Sequence, residues 1–75
     1  MEFSDADIIA AARRVQKVRG WFSVRDIYYE FDVGRRSVVR TRNTSARFSQ
    51  VVKKAGAVSC PGGTTGGDKR YAFPD

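Results

Sequence analysis

Apolar residues recur at three- and four-residue intervals in three stretches of the chain, and near its end the spacing shortens to two. In the first stretch Ile8, Ala11, Ala12, Val15 and Val18 define one helical face, while Arg13, Arg14 and Lys17 project elsewhere. Ser4 stands just ahead as an N-cap, Asp5 and Asp7 fill the first turn, and Asp7 occupies the acidic position of a capping box. With Gly20 as the stop, a first helix is predicted over residues 5–19, and Lys17 and Arg19 complement the dipole at its end.

Ser23 and Asp26 repeat the capping arrangement, and Val24, Ile27, Tyr28 and Phe31 fall on one side of a short second helix that stops near residues 32–34. Arg25, Tyr29 and Glu30 are left outward. Ahead of it, Trp21 and Phe22 form a core plug or a strand of two to three residues. In the third stretch Phe48, Val51, Val52 and Ala55 make a narrow stripe, capped by Asn43 or Thr44 and closed by Lys53, Lys54 and Gly56. A third helix is predicted over residues 45–55, with Ala46, Ser49, Gln50 and Lys53 pointing away from the stripe and Arg47 and Lys54 flanking them. Residues 35–42 show neither period. The tail reads as a hairpin, with β-compatible runs at 57–60 and 69–73 around a glycine-rich turn at 61–68 closed by Asp68. Val58 and Cys60 on one run, and Tyr71 and Phe73 on the other, are expected on its half-buried face.

Charge changes the picture, because the +6 net charge of the 75-residue chain is not spread evenly. Residues 1–32 hold five basic and six acidic groups, whereas residues 33–75 hold nine basic and two acidic, and residues 33–67 contain no acid at all. One-sided charge of this kind gives a surface whose field attracts phosphates. The length suits one small domain over residues 1–75, held by packing alone, since Cys60 has no intrachain partner. The lack of histidine removes Cys/His zinc sites and the Ser/His and Cys/His nucleophile pairs, so no enzyme, metal or small-molecule cofactor is expected. Residues 62–69 imitate a phosphate-binding loop in glycine content, but Asp68 separates the last glycine from Lys69 and no helix pattern follows. No apolar run approaches the ~20 residues that span a bilayer, so an intracellular, DNA-associated protein with no membrane partner is expected.

Helix, short strand, helix, helix and a basic glycine-rich hairpin together resemble a winged helix-turn-helix domain. The resemblance rests on residues 23–28 as the second helix, 47–56 as the helix before the wing, and 58–73 as the wing. It implies an α+β fold of three helices with a C-terminal two-stranded wing. It also implies a third helix in the DNA major groove, putting Arg47, Ser49, Gln50 and Lys53 at bases or phosphates and Thr64, Thr65, Lys69 and Arg70 on the wing. Arg and Gln suit the paired acceptors of guanine and the two-sided edge of adenine, while Lys53, Lys54, Lys69 and Arg70 suit phosphates. Arg35, Arg36, Arg40 and Arg42 lie in the connection before the helix and would clamp phosphates; Thr44 completes the candidate DNA-contact set.

That connection, residues 32–43, is longer than the short turn common in the family, and residues 35–41 offer a second assignment for the recognition segment, with 45–55 then supporting it. The partner expected is double-stranded DNA, bound in a sequence-specific or architectural role, first of all by a small transcription regulator; replication or recombination would use the same surface. The rival classes are a protein-interaction winged helix docking an acidic partner, and RNA binding. A homodimer is a further partner to consider because one small module buries limited DNA surface, although no heptad seam marks an interface.

Overall fold

The computed structural model describes residues 3–34, 38–61 and 69–74. Helix α1 spans Asp5–Arg19 and is capped as its sequence dictates. Ser4 Oγ accepts from the Asp7 backbone N–H at 3.2 Å, and Asp7 Oδ2 accepts from the Ser4 N–H at 2.9 Å. Gly20 ends the helix at φ 84°, a left-handed conformation that a side chain would strain, so the stop is enforced by the backbone. Helix α2, Val24–Val33, opens on the same reciprocal box between Ser23 and Asp26. The turn between the two helices holds Phe22, which is fully buried and exchanges two 2.8 Å backbone hydrogen bonds with Tyr71.

Helix α3 spans Arg42–Lys54 and starts three residues earlier than its apolar stripe suggests. Its cap is Thr41, not Asn43 or Thr44: the Thr41 hydroxyl accepts from the Thr44 N–H at 3.1 Å, while Tyr28 Oη meets Ser45 Oγ at 2.9 Å and ties that first turn to α2. The first turn carries no apolar residue, so periodicity gives no sign of it. The connection from α2 therefore shrinks to residues 34–41, Arg42 is helical, and residues 38–41 have no regular structure, so a recognition helix over 35–41 is not formed there. At the far end Ala55 is exposed as the C-cap, outside the stripe it was expected to extend.

Strands β1, Val58–Ser59, and β2, Tyr71–Ala72, pair antiparallel with Val58 opposite Ala72 and Ser59 opposite Tyr71. Tyr71 also bridges to Phe22, so β2 lies between β1 and the residue preceding α2. Residues directly opposite in an antiparallel pair share a face. Val58 therefore lies with Ala72 on the outer face and is 53% exposed, and Cys60 falls on that outer side too; Ala57 takes the inward position expected for Val58. The glycine-rich turn at 62–68, with its Asp68 closure, lies outside the described residues.

The core is one cluster in which α1 contributes small side chains, Ala11 and Ala12, that let α2, α3 and the strands approach closely. Phe48 of α3 is its hub, with ring centroids 4.9 Å from Tyr28, 5.5 Å from Phe3 and 5.7 Å from Phe31. Gln16 clamps the chain end to α1, donating to the Phe73 carbonyl at 2.9 Å and accepting from the Phe73 N–H at 2.8 Å. Val18, expected on the inward stripe, is 84% exposed; α1 turns it out between Arg14 and Arg19 in its last turns. The result is a small α+β architecture of three helices and a C-terminal two-stranded antiparallel sheet, arranged in the manner of a winged helix. Among the described residues no helix is long and apolar enough to cross a membrane.

Candidate nucleic-acid interface

Every carboxylate side chain among the described residues lies on α1 or α2: Asp5, Asp7, Asp26, Glu30 and Asp32. Four of the five hold a cation in an ion pair. Arg14 meets Glu30 at 2.8 Å, Arg19 meets Asp26, Arg47 meets Asp5 at 3.1 Å and Arg40 meets Asp32 at 3.6 Å. Of the cations on α3, Arg47 is the one these pairs reach. Among the described residues Arg42, Lys53, Lys54, Lys69 and Arg70 have no carboxylate partner.

Geometry gathers several of these groups along one open groove between α3 and β2. Its lining is Val24, Arg42, Ser45, Ala46, Ser49, Lys69 and Tyr71. On α3 the contributing side follows the helical repeat, Arg42, Ala46, Ser49 and Lys53 at i, i+4, i+7 and i+11. Tyr71 forms the floor. Its ring is buried, its hydroxyl lies 3.3 Å from Ser49 Oγ, and the ammonium groups of Lys53 and Lys69 stand 5.6 Å and 5.8 Å from its centroid. The negative face of the ring attracts both cations. Trp21 does the same at the base of the wing, where the guanidinium carbons of Arg19 and Arg70 approach its ring to 3.9 Å and 4.0 Å.

Helix electrostatics sharpen the asymmetry. Both α1 and α2 carry acid in the first turn, but α3 carries none and opens on Arg42, a cation at the positive end of the helix dipole. That placement costs about 0.3–1 kcal/mol relative to an acid at such a position. Lys53 and Lys54 at the other end are favourable for the same reason reversed.

The candidate residues fall into three groups. Gln50, Lys53 and Lys54 are exposed on α3 as expected, Arg42 joins them as a helical residue instead of a loop residue, and across the groove Lys69 is exposed while Arg70 is half-buried over Trp21. Ser49, Thr44, Arg47 and Arg40 are already engaged. Ser49 is half-buried against Tyr71, and Thr44 serves the cap. Arg47 donates to the Phe3 carbonyl and to Asp5 Oδ1 at 3.1 Å each while lying over the Phe3 ring, so it faces the start of α1 and not outward. Arg40 lies 5.2 Å from the Tyr28 ring centroid beside its Asp32 partner. Arg35, Arg36, Thr64 and Thr65 lie outside the described residues. Asn43, exposed in the first turn of α3, and Tyr71, the floor of the groove, were not foreseen as site residues. The alternating tail marked Tyr71 as half-buried, but only the packing of β2 against α3 makes it a platform for lysines.

Among the described residues no group of His, Cys, Asp or Glu side chains could hold a metal ion. No protein-family model, no curated protein and no solved structure matches this chain.

Proposed function

We propose that this protein is a double-stranded DNA-binding module of winged-helix type, with α3 seated in the major groove and the β1–β2 wing along the adjacent backbone. The observation that carries the reading is the segregation of charge: all described carboxylates sit on α1 and α2, and Arg42, Lys53, Lys69 and Arg70 have no carboxylate partner among the described residues. A polyanion that releases counterions on binding supplies the missing partner charge. Arg42, Lys53, Lys69 and Arg70 take phosphates, which gives affinity and register, while Gln50 and Asn43 reach base edges. Arg47 acts through its hold on Asp5 and Phe3, orienting α3 against α1. Regulation of transcription is the role such a module would serve first, and replication or recombination would use the same surface.

The test is a titration of the whole protein with labelled random duplex DNA, single-stranded DNA and duplex RNA at two salt concentrations. Tight, salt-sensitive binding that favours duplex DNA is expected. Absence of binding to every nucleic acid at low salt would refute the proposal and turn attention to an acidic protein partner, the other ligand the same cations fit.

A further inference from the structure

A second surface lies on the outer side of the α1–α2 pair and shares no residue with the α3–β2 groove. It is a shallow groove lined by Arg14, Val15, Val18, Arg19, Tyr29 and the acidic pair Asp26 and Glu30. Its centre is apolar and open to solvent: Val18 is 84% exposed and Tyr29 62%. One turn beyond Tyr29 on the same face of α2, Val33 is 63% exposed. An exposed apolar strip rimmed by charge is a feature of association surfaces.

The rim identifies the occupant. Arg14 pairs with Glu30 and Arg19 with Asp26, so the later residue of α1 meets the earlier residue of α2 and the two helices run antiparallel. The groove thus has a basic bank on α1 and an acidic bank on α2, with apolar side chains between. We propose that a second copy of this chain docks on this groove, α1 of each protomer lying over α2 of its partner in a two-fold dimer.

Charge fixes the orientation. A two-fold axis parallel to the helices places the basic bank of one copy over the acidic bank of the other, so that Arg14 and Arg19 each face a carboxylate on both sides. A two-fold axis across the helices would stack α1 on α1 and set Arg14 against Arg19, a like-charge arrangement that disfavours the alternative. In the favoured arrangement Val18 packs against the Tyr29 ring across the axis, and each surface is complementary to itself, as an isologous interface requires. Few apolar side chains contribute, so the dimer is weak, with a dissociation constant of roughly micromolar or higher. This inference is independent of the nucleic-acid reading.

Sedimentation equilibrium of the DNA-free protein up to about 1 mM, under reducing conditions that keep Cys60 from cross-linking, tests it. A reversible monomer–dimer equilibrium is expected, and Val18→Glu should raise its dissociation constant by about tenfold or more without altering the circular dichroism spectrum, since the side chain is already exposed. Glu30→Arg should weaken the dimer, and combining it with Arg14→Glu should restore it, because the exchanged banks are again complementary. A wild-type protein that stays monomeric throughout, or a dimer indifferent to Val18→Glu, would overturn the site. A double variant that dissociates as fully as Glu30→Arg alone would overturn the orientation.

Discussion

The α1–α2 pair and the α3–β2 side of this protein solve the same electrostatic problem in opposite ways. In the first region the helices open on reciprocal capping boxes, and Arg14 and Arg19 each lie on a carboxylate of the neighbouring helix. In the second, α3 opens on an arginine, and Lys53 and Lys69 lie over the Tyr71 ring with no acid among the described residues within that region. Both regions share one apolar core, so packing does not separate them. The difference teaches that the N-terminal pair matches cations with carboxylates of its own, whereas the C-terminal side carries Arg42 at the positive end of α3 at a cost to its own stability.

The most disruptive way to challenge this division is to remove what joins the two regions. Phe48 is fully buried and touches rings from α2 and from the residue ahead of α1, so Phe48→Ala should cost about 3–5 kcal/mol and unfold both regions together. Denaturant unfolding followed separately by circular dichroism and by Trp21 fluorescence checks this: two transitions that no longer coincide would show that the regions are independent.

Next in size is the removal of wing cations. Replacing Lys69 and Arg70 with Ala should weaken binding to every duplex and reduce the slope of log K against log salt by about 2. Replacing Gln50 instead should leave that slope intact and lower discrimination between sequences. Competition binding with a selected site and random DNA separates the two, and equal behaviour of the variants would contradict the assigned roles.

On the paired side, Asp26→Ala should cost about 1–2 kcal/mol, because one carboxylate accepts from the Ser23 backbone, the Ser23 hydroxyl and Arg19. Thermal unfolding should register the loss while the salt slope of DNA binding stays unchanged. The smallest effect is the most pointed. Arg42→Glu removes the cation from the positive end of α3 and should raise stability by about 0.3–1 kcal/mol while weakening DNA binding. A variant that is both less stable and fully competent in binding would reverse the account of Arg42.

Local signals carried α1 and α2 almost completely. Ser4, Asp7, Ser23 and Asp26 act within three residues of one another, and Gly20 needs only its own backbone, so both starts and the first stop are written in the sequence. What failed depended on contacts distant along the chain. Thr41 caps α3 in place of Asn43 or Thr44 because Tyr28 fixes the first turn from α2. Val58 turned outward because the register of Ser59 on Tyr71 is set by the bridge from Phe22, not by alternation within the run. Val18 satisfied the helical period but sits at the edge of the stripe, where it faces the outer groove between Arg14 and Arg19 and not the core. At the candidate site, charge and the helical repeat marked Gln50, Lys53, Lys54 and Lys69 as outward, and the structure exposes all four. They could not show that Arg47 reaches back to Asp5, or that Tyr71 lies beneath two lysines, since the first depends on α3 packing against α1 and the second on β2 packing against α3.

The most direct measurement is the affinity of the wild-type protein for random duplex DNA as a function of salt. With Arg42, Lys53, Lys69 and Arg70 on phosphates, log K should fall linearly with log salt at a slope of about −3.6 or steeper. A slope near zero, or no binding at about 50 mM salt, would mean that the positive charge of the α3–β2 groove is not held for a nucleic-acid backbone.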